Sequence, residues 1–521
     1  MRQKQKRFIV LSSVLTLSML AAACSGGGSA PQQGSSSSGS GSTGDGKQAP
    51  TDVSVMVHFL TQQPAADDNP VKKLIEEATN TKLNIQWVSS NNYTDKLNVT
   101  LASGDIPDLV FINDPFSPVF RNMTAQGAFW EVGPYIKDYA NLSSGISKTA
   151  WDLTKMADGK NYVVPRPRPS EADSFFIVRK DWLDKLNLKV PTTTDELYEV
   201  MKAFVEKDPD GNGKADTIGL AANTEPQNTA SPIGTLGHIE NSFTGVNGKW
   251  KWVDGKMVHN SQLPEMKQAL EYMVKAYQEK LIPADFASLK NTQVLDLFKA
   301  NKAGIVIEKA GSMKVYYDPL KKLVPEIKET DFYPVTNING YNPKSPGFAG
   351  ALAIPKKVPE EKMKKILQMI DTWMKPEVFQ FQQYGIEGVH HTVKDGQKVI
   401  DTEKMNADSV PDFNQIVYVA DPYASSTKIF FSEETNKLYK QIQDERAKTS
   451  SADLTVGLFS PTAQTSMAEI EKKLADLKTK IILGREPMSK WDEMVESLKN
   501  DATLKKISEE YTDAYKKRTG Q

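Results

Sequence analysis

Val53-Ser54-Val55-Met56-Val57-His58-Phe59 is a β-rich run without a breaker, and it reads as a buried strand. Val71, Leu74, Ile75 and Ala78 then fall at helical spacing, which predicts a helix from Pro70 to Ala78. Leu83-Asn84-Ile85-Gln86-Trp87-Val88 alternates as a second strand, and Tyr93 to Ala102 reads as a second helix. Gly104-Asp105-Ile106-Pro107-Asp108 turns the chain into a third strand, Leu109-Val110-Phe111-Ile112. Strand, helix, strand, helix, strand with short connections predicts a parallel sheet with helices on its faces. Ligands of such sheets bind beyond the carboxyl ends of the strands, here His58-Phe59-Leu60 and Asn113-Asp114.

Upstream, Arg2, Lys4, Lys6 and Arg7 precede an apolar run from Phe8 to Ala23 that closes on Leu20-Ala21-Ala22-Ala23-Cys24. A basic start, a short apolar run and small residues at its end describe an export signal, and the run is shorter than the ~20 apolar residues of a spanning helix. Cys24 is the only cysteine of the 521 residues, so no disulfide framework exists. The stretch resembles a bacterial lipobox, with Ala21 where Leu is commonest, which makes Cys24 the expected lipidation site, bearing palmitate-type chains. Ser25 to about Ala49 is Gly-, Ser-, Thr- and Gln-rich and cannot bury enough surface to order itself. It reads as a flexible tether spanning on the order of 25–30 Å.

The remaining ~470 residues suggest two or more domains. With 64 Lys and Arg against 65 Asp and Glu, well mixed, the chain has no basic patch that would point to nucleic acid. A second α/β body is predicted from Ser174-Phe175-Phe176-Ile177-Val178-Arg179, with a capping box at Thr193 and Glu196. Leu197, Val200, Met201 and Phe204 line one face of the helix that follows. Beyond Pro461, Ile470, Leu474, Leu477 and Ile481 repeat at helical spacing up to Gly484.

"RKDWLDKLNL" (Arg179–Leu188), a Thr-rich cap and "DELYEVMKAF" (Asp195–Phe204) resemble the crossover into the second lobe of bacterial extracellular solute-binding proteins for sugars. "LFKANKAGIVIEKAGS" (Leu297–Ser312) resembles the return crossing and "GFAGALAIPKK" (Gly347–Lys357) a third. "YGIEGVHHT" (Tyr384–Thr392) and "WDEMVESLK" (Trp491–Lys499) resemble the lipoprotein subgroup that includes alginate-binding proteins. The resemblance implies an α/β, two-lobed fold with crossing hinge strands and added C-terminal helices. Its division would be 1–24 signal, 25–50 tether, 51–171 with 310–350 as one lobe, 172–309 with 351–460 as the other, and 461–521 as a helical extension. It further implies a monomeric, lipid-anchored receptor on the outer face of the cytoplasmic membrane, passing a carbohydrate to the permease of an ABC importer.

Asp208, Asp210, Asn212 and Asp216 stand at positions 1, 3, 5 and 9 of an EF-hand-type spacing, with Gly213 at position 6 and a carbonyl available from Lys214 at position 7. Hard oxygen ligands favour a structural Ca²⁺. Position 12 is Gly219 instead of Glu, and Thr217 at position 10 is a weaker ligand. The alternative is a solvated Asp/Asn/Gly turn.

Sugars need aromatic platforms and a rim of polar side chains. The resemblance places Phe59, Asp114, Arg166, Arg168, Glu387 and His391 at the cleft. Pro165-Arg166-Pro167-Arg168-Pro169 suits an acidic sugar through bidentate pairing, or serves as a stiff connector facing solvent. Trp250 and Trp252 point the same way on a strand, which suits a stacking platform for a sugar and, more readily, a peripheral hairpin packing pair. His390 and His391 are adjacent and cannot chelate one metal together. No His-Glu-x-x-His or G-x-S-x-G motif occurs, which argues against an enzyme. The rival readings are a surface polysaccharide hydrolase or lyase and a receptor for a peptide or other solute.

Overall fold

The Thr51–Phe59 strand pairs in parallel with Thr81–Ser89 along its whole length, Thr51 opposite Thr81 and Phe59 opposite Ser89, and with Leu109–Ile112 on its other side. This is the predicted strand–helix–strand–helix–strand unit, in a computed structural model that describes residues 49–171, 174–224, 233–394, 396–421 and 431–520. Cys24 and the tether lie outside the described residues. The sheet is completed by Phe348–Ala353, antiparallel to Leu109–Ile112, and by Val164–Pro167 at the edge. Proline is tolerated there because an edge strand leaves one row of backbone groups unpaired.

A second sheet runs in the order Phe332–Pro334, Phe175–Arg179, Ala303–Glu308, Ile218–Ala221. Its alternation is visible in the cores. Phe176, Val178, Ile305 and Ile307 join one buried cluster, whereas Phe175, Ile177 and Val306 join the cluster on the opposite face. The first is extended by Leu474, Ile481, Trp491, Leu498 and Ile507, so the C-terminal helices Pro461–Ile482, Ser489–Asn500 and Ala502–Thr519 pack on this body. The capping box forms at the start of helix Thr194–Glu206. Thr193 accepts the Glu196 N–H at 3.1 Å, and the Glu196 carboxylate accepts the Thr193 N–H at 3.3 Å.

The expected division between the bodies needs correction. Residues 310–335 belong to the second body: Tyr316 and Leu320 of helix Lys314–Leu323 fill its core and Phe332–Pro334 is its edge strand. Residues 351–417 belong to the first. Met363, Ile366, Ile370 and Trp373 of helix Glu360–Trp373, then Val378, Phe413 and Ile416, pack with Val55 and Val57. Accordingly Leu297–Ser312 is no crossing: it holds the end of helix Asn291–Lys299 and a central strand of the second sheet, Ala303–Glu308. The chain crosses between Pro167 and Phe175, returns between Pro334 and Phe348, and crosses again between Val417 and Phe431. An apolar run such as Ala303–Glu308 announces a buried strand, and only pairing says in which sheet.

Candidate functional site

The carboxyl ends of Thr51–Phe59 and Leu109–Ile112 lie side by side, and the start of Phe348–Ala353 stands between them and the carboxyl end of Val164–Pro167. Arg166, 6 % exposed, sits among them. Its Nε donates to the Ala349 carbonyl at 3.0 Å, and its Nη1 donates to the carbonyl and the Oε1 of Gln415, both at 2.9 Å. Its guanidinium lies 4.2 Å over the Phe111 ring. Arg168 is half-buried, with its guanidinium 4.0 Å over Tyr418 and its Nη1 donating to the Pro167 carbonyl at 2.8 Å. The first part of the Pro-Arg run is therefore a strand, Val164–Pro167, with Arg166 buried, so the run is not a connector facing solvent.

His58 completes the group, its ring 5.0 Å from Phe111 and 5.4 Å from Tyr93. Burial, then the charge of Arg166, holds the imidazole down to about 4, while a hydrogen bond with Gln415 works the other way. Burial, then the charge of Arg168, holds Arg166 well below the ordinary arginine range, and burial brings Arg168 down to about 10. Tyr93 donates to the Phe111 carbonyl at 2.6 Å, which fixes the strand end beneath the cluster.

The other expected residues are dispersed around this centre. Phe59 is half-buried, and the next N–H, of Leu60, donates to Asp412 at 2.8 Å. Asp114 is exposed, accepts the Phe116 N–H at 2.9 Å and partly offsets the burial that lowers the pKa of Arg121. Arg121 in turn lies 5.3 Å from the Phe116 ring and 5.0 Å from the Phe459 ring, and donates to the Leu458 carbonyl at 3.3 Å. It thereby joins the first body to the segment before the C-terminal helices. Glu387 and His391 sit in a separate turn. Glu387 is exposed, and the buried His391 places Nδ1 2.9 Å from the Tyr384 carbonyl. His390 instead places Nε2 2.9 Å from Asp408, so the two imidazoles have different partners, as their adjacency requires. Trp250 packs edge-on against Tyr511 at 5.2 Å and Trp252 against Tyr515 at 4.8 Å, the packing pair that the alternation predicts.

Sequence reasoning missed Gln415 and Tyr418, which carry no motif and reach the site from a segment 249 residues beyond Arg166. His58 was placed at a strand end by its pattern, without a role.

In the acidic loop Asp208 accepts the N–H groups of Asn212 at 3.1 Å and Gly213 at 2.9 Å. The Asn212 amide bridges Asp210 at 2.7 Å and Asp216 at 3.0 Å, and Lys302 lies 2.5 Å from Asp216. Burial and the neighbouring Asp208 raise the Asp210 carboxyl. Thr217 at position 10 is removed from any ligand set, since its hydroxyl donates to the Phe204 carbonyl at 2.6 Å. At position 12, a Cβ on Gly219 would lie 2.7 Å from Met201 Cβ, so this loop has no room for a longer side chain there. Among the described residues no three His, Cys, Asp or Glu side chains are gathered as a metal-holding group.

Residues 60–377 match the model of the family described as bacterial extracellular solute-binding protein. This chain belongs to that family. Among relatives, this solute-binding protein is 32 % identical over 488 residues to the polygalacturonan/rhamnogalacturonan-binding protein YtcQ of Bacillus subtilis (strain 168), covering 91 % of this chain and 94 % of that one. It is 28 % identical over 453 residues to lipoprotein LipO of the same organism, covering 85 % and 88 %. Of solved structures, alginate-binding protein AlgQ2 without calcium ion superposes with a TM-score of 0.65 at 20 % identity, over 90 % of this chain and 98 % of that one. The solute-binding protein thus has the two-lobed α/β fold that the sequence predicts.

Proposed function

We propose that this chain captures an oligosaccharide outside the cell, between its two bodies, and presents it to the permease of an ABC importer. The observation that carries this reading is the gathering of His58, Arg166, Arg168, Phe111 and Tyr418 at neighbouring strand ends of the first sheet. Rings offer faces to stack on and polar side chains orient hydroxyls, which is how a site holds a sugar without transforming it. Three crossings join the bodies, the arrangement that lets two lobes close as a hinge about a ligand. The similarity to a polygalacturonan/rhamnogalacturonan-binding protein supports a carbohydrate ligand.

Cys24 is the proposed lipid attachment point, and the Gly/Ser-rich tether keeps a monomeric receptor near its transporter. The similarity to lipoprotein LipO supports this placement. No helix among the described residues is long and apolar enough to cross a membrane. Asp208, Asp210, Asn212 and Asp216, with the Lys214 carbonyl, are the proposed ligands of a structural Ca²⁺. The EF-hand-type spacing of these oxygen donors supports it.

A thermal-shift screen of oligosaccharides and peptides on the whole chain tests the reading, since a ligand of the native form raises apparent stability. Stabilisation by saccharides with no turnover is the expected result. Stabilisation by peptides alone, or the appearance of new reducing or unsaturated ends, would refute it.

A further inference from the structure

The segment between strand Ser450–Ala452 and helix Pro461–Ile482 touches both bodies. Ser450–Ala452 pairs in parallel with Asn342–Lys344 of the second crossing, so the segment sets out from where the chain passes between the bodies. Leu454 and Leu458 pack against the core of the second body, whereas Val456 between them packs against the core of the first. Two arginines hold its carbonyls from opposite sides. Arg518 of helix Ala502–Thr519 donates to the Leu454 carbonyl at 2.5 Å and to the Val456 carbonyl at 2.7 Å. Arg121 of helix Pro118–Ala125, in the first body, donates to the Gly457 carbonyl at 3.4 Å and to the Leu458 carbonyl at 3.3 Å. Gly457 makes this approach possible, because at φ +79° a Cβ there would lie 2.4 Å from the Leu153 carbonyl oxygen.

The two halves of this clasp differ in strength. The Arg518 bonds are short, whereas those of Arg121 stand near the outer limit of a hydrogen bond, so that about half an ångström of further separation removes them. Arg121 follows the carboxyl end of Leu109–Ile112, with its Nε donating to the Phe116 carbonyl at 2.9 Å. Phe116 in turn lies 6.3 Å from Phe348, at the start of the neighbouring strand. The weak half therefore stands at the end of the first sheet where its ligands bind, and widening of the cleft draws it apart.

We propose that Arg121 is a positioning residue that latches the first body to segment 454–459 and so sets how readily the two bodies close about a ligand. This rests on the two-body receptor reading above and adds a residue that tunes affinity without touching the sugar. A contact made in one arrangement and lost in the other raises the population of the first, and apparent affinity follows the population that is competent to bind. Removing the latch therefore weakens every saccharide by the same factor. A residue in contact with the sugar would instead change that factor from one saccharide to the next.

Small-angle scattering of the full chain reads the latch without any ligand. Arg121→Met is expected to increase the radius of gyration, and Arg121→Lys, which can still donate to the carbonyls, should restore part of the shift. Gly457→Ala reaches the same contact from the other side: its Cβ pushes the segment off Leu153 and should shift the radius in the same direction, which keeps the test open if Arg121→Met misfolds. Calorimetric titration with short oligogalacturonates and with neutral galacto-oligosaccharides of the same length should show each saccharide that binds losing about threefold or more in Arg121→Met, by one common factor. Unchanged scattering in both variants, or tighter binding, would overturn the latch and leave the saccharide reading standing. A loss confined to one class of saccharide would also overturn it, assigning Arg121 to ligand contact. Failure of every saccharide to bind the unaltered chain would count against the saccharide reading alone, with the scattering still deciding the latch.

Discussion

Arg446 lies over Phe175, its guanidinium carbon 4.0 Å from the ring centroid, where two of the three interbody crossings meet. Wholly buried, it donates to the Ser174 carbonyl at 3.1 Å in the first crossing and to the Pro343 carbonyl at 2.5 Å in the second, with the Glu171 carboxylate 3.9 Å away. One side chain from helix Glu433–Arg446 therefore holds together the segments about which the two bodies would move.

Arg446→Met should destabilise the protein by about 2–4 kcal/mol, because carbonyls and a carboxylate lose a charged donor at a buried position. Urea unfolding measures it. An unchanged midpoint would mean that water replaces the guanidinium without penalty.

His238 is buried on the second body, its ring 4.5 Å from that of Phe176. Burial, then the charge of Arg446, lowers its pKa to about 3. The unfolded chain, with an ordinary value near 6.5, binds this proton first, so stability falls as pH drops through 6.5 and the loss continues to about 3. By pH 5 the group alone accounts for about 2 kcal/mol. His238→Gln should flatten the slope of unfolding free energy between pH 7.5 and 5. The lowered carboxyls act at lower pH; Glu471, at about 2, is one.

Gly350 adopts φ +67°, and a Cβ there would come within 2.3 Å of Phe111 Cζ and 2.9 Å of the Ile112 carbonyl. Phe111 carries the Arg166 stack, so Gly350→Ala should cost about 1–3 kcal/mol and also weaken ligand binding. Gly104→Ala is the control: its φ is similarly positive at +73°, but nothing lies within 4 Å. It should lose stability alone. Melting curves beside calorimetric titration separate the two outcomes.

If the acidic loop binds Ca²⁺, calcium at a hundredfold its dissociation constant should stabilise the protein by about 2.7 kcal/mol. Asp210→Ala should abolish that increment while changing the chelator-treated protein less. Equal losses in both conditions would assign the loop to an ordinary turn.

Much of the fold is legible without coordinates because its signals are local. Alternation in Leu83–Val88, helical spacing through Phe204 and the Thr193–Glu196 box each depend on neighbours within a turn or a strand, and each appears where the pattern predicts it. The expected export signal and tether, and the acidic loop, are likewise read from adjacent residues. The candidate site is less so: Arg166 and Arg168 stood out by composition, but what makes them a site is desolvation, and that is a property of the surroundings.

By itself the sequence determined the elements, the sugar-receptor resemblance and the two arginines. Only the tertiary structure decided that residues 310–335 complete the second body and 351–417 the first, and that Gln415 and Tyr418 meet the Pro-Arg strand from far along the chain. The reason is physical. Periodicity and capping act over a few residues, whereas strand partnership and the burial of a charge are settled by contacts that no local pattern encodes.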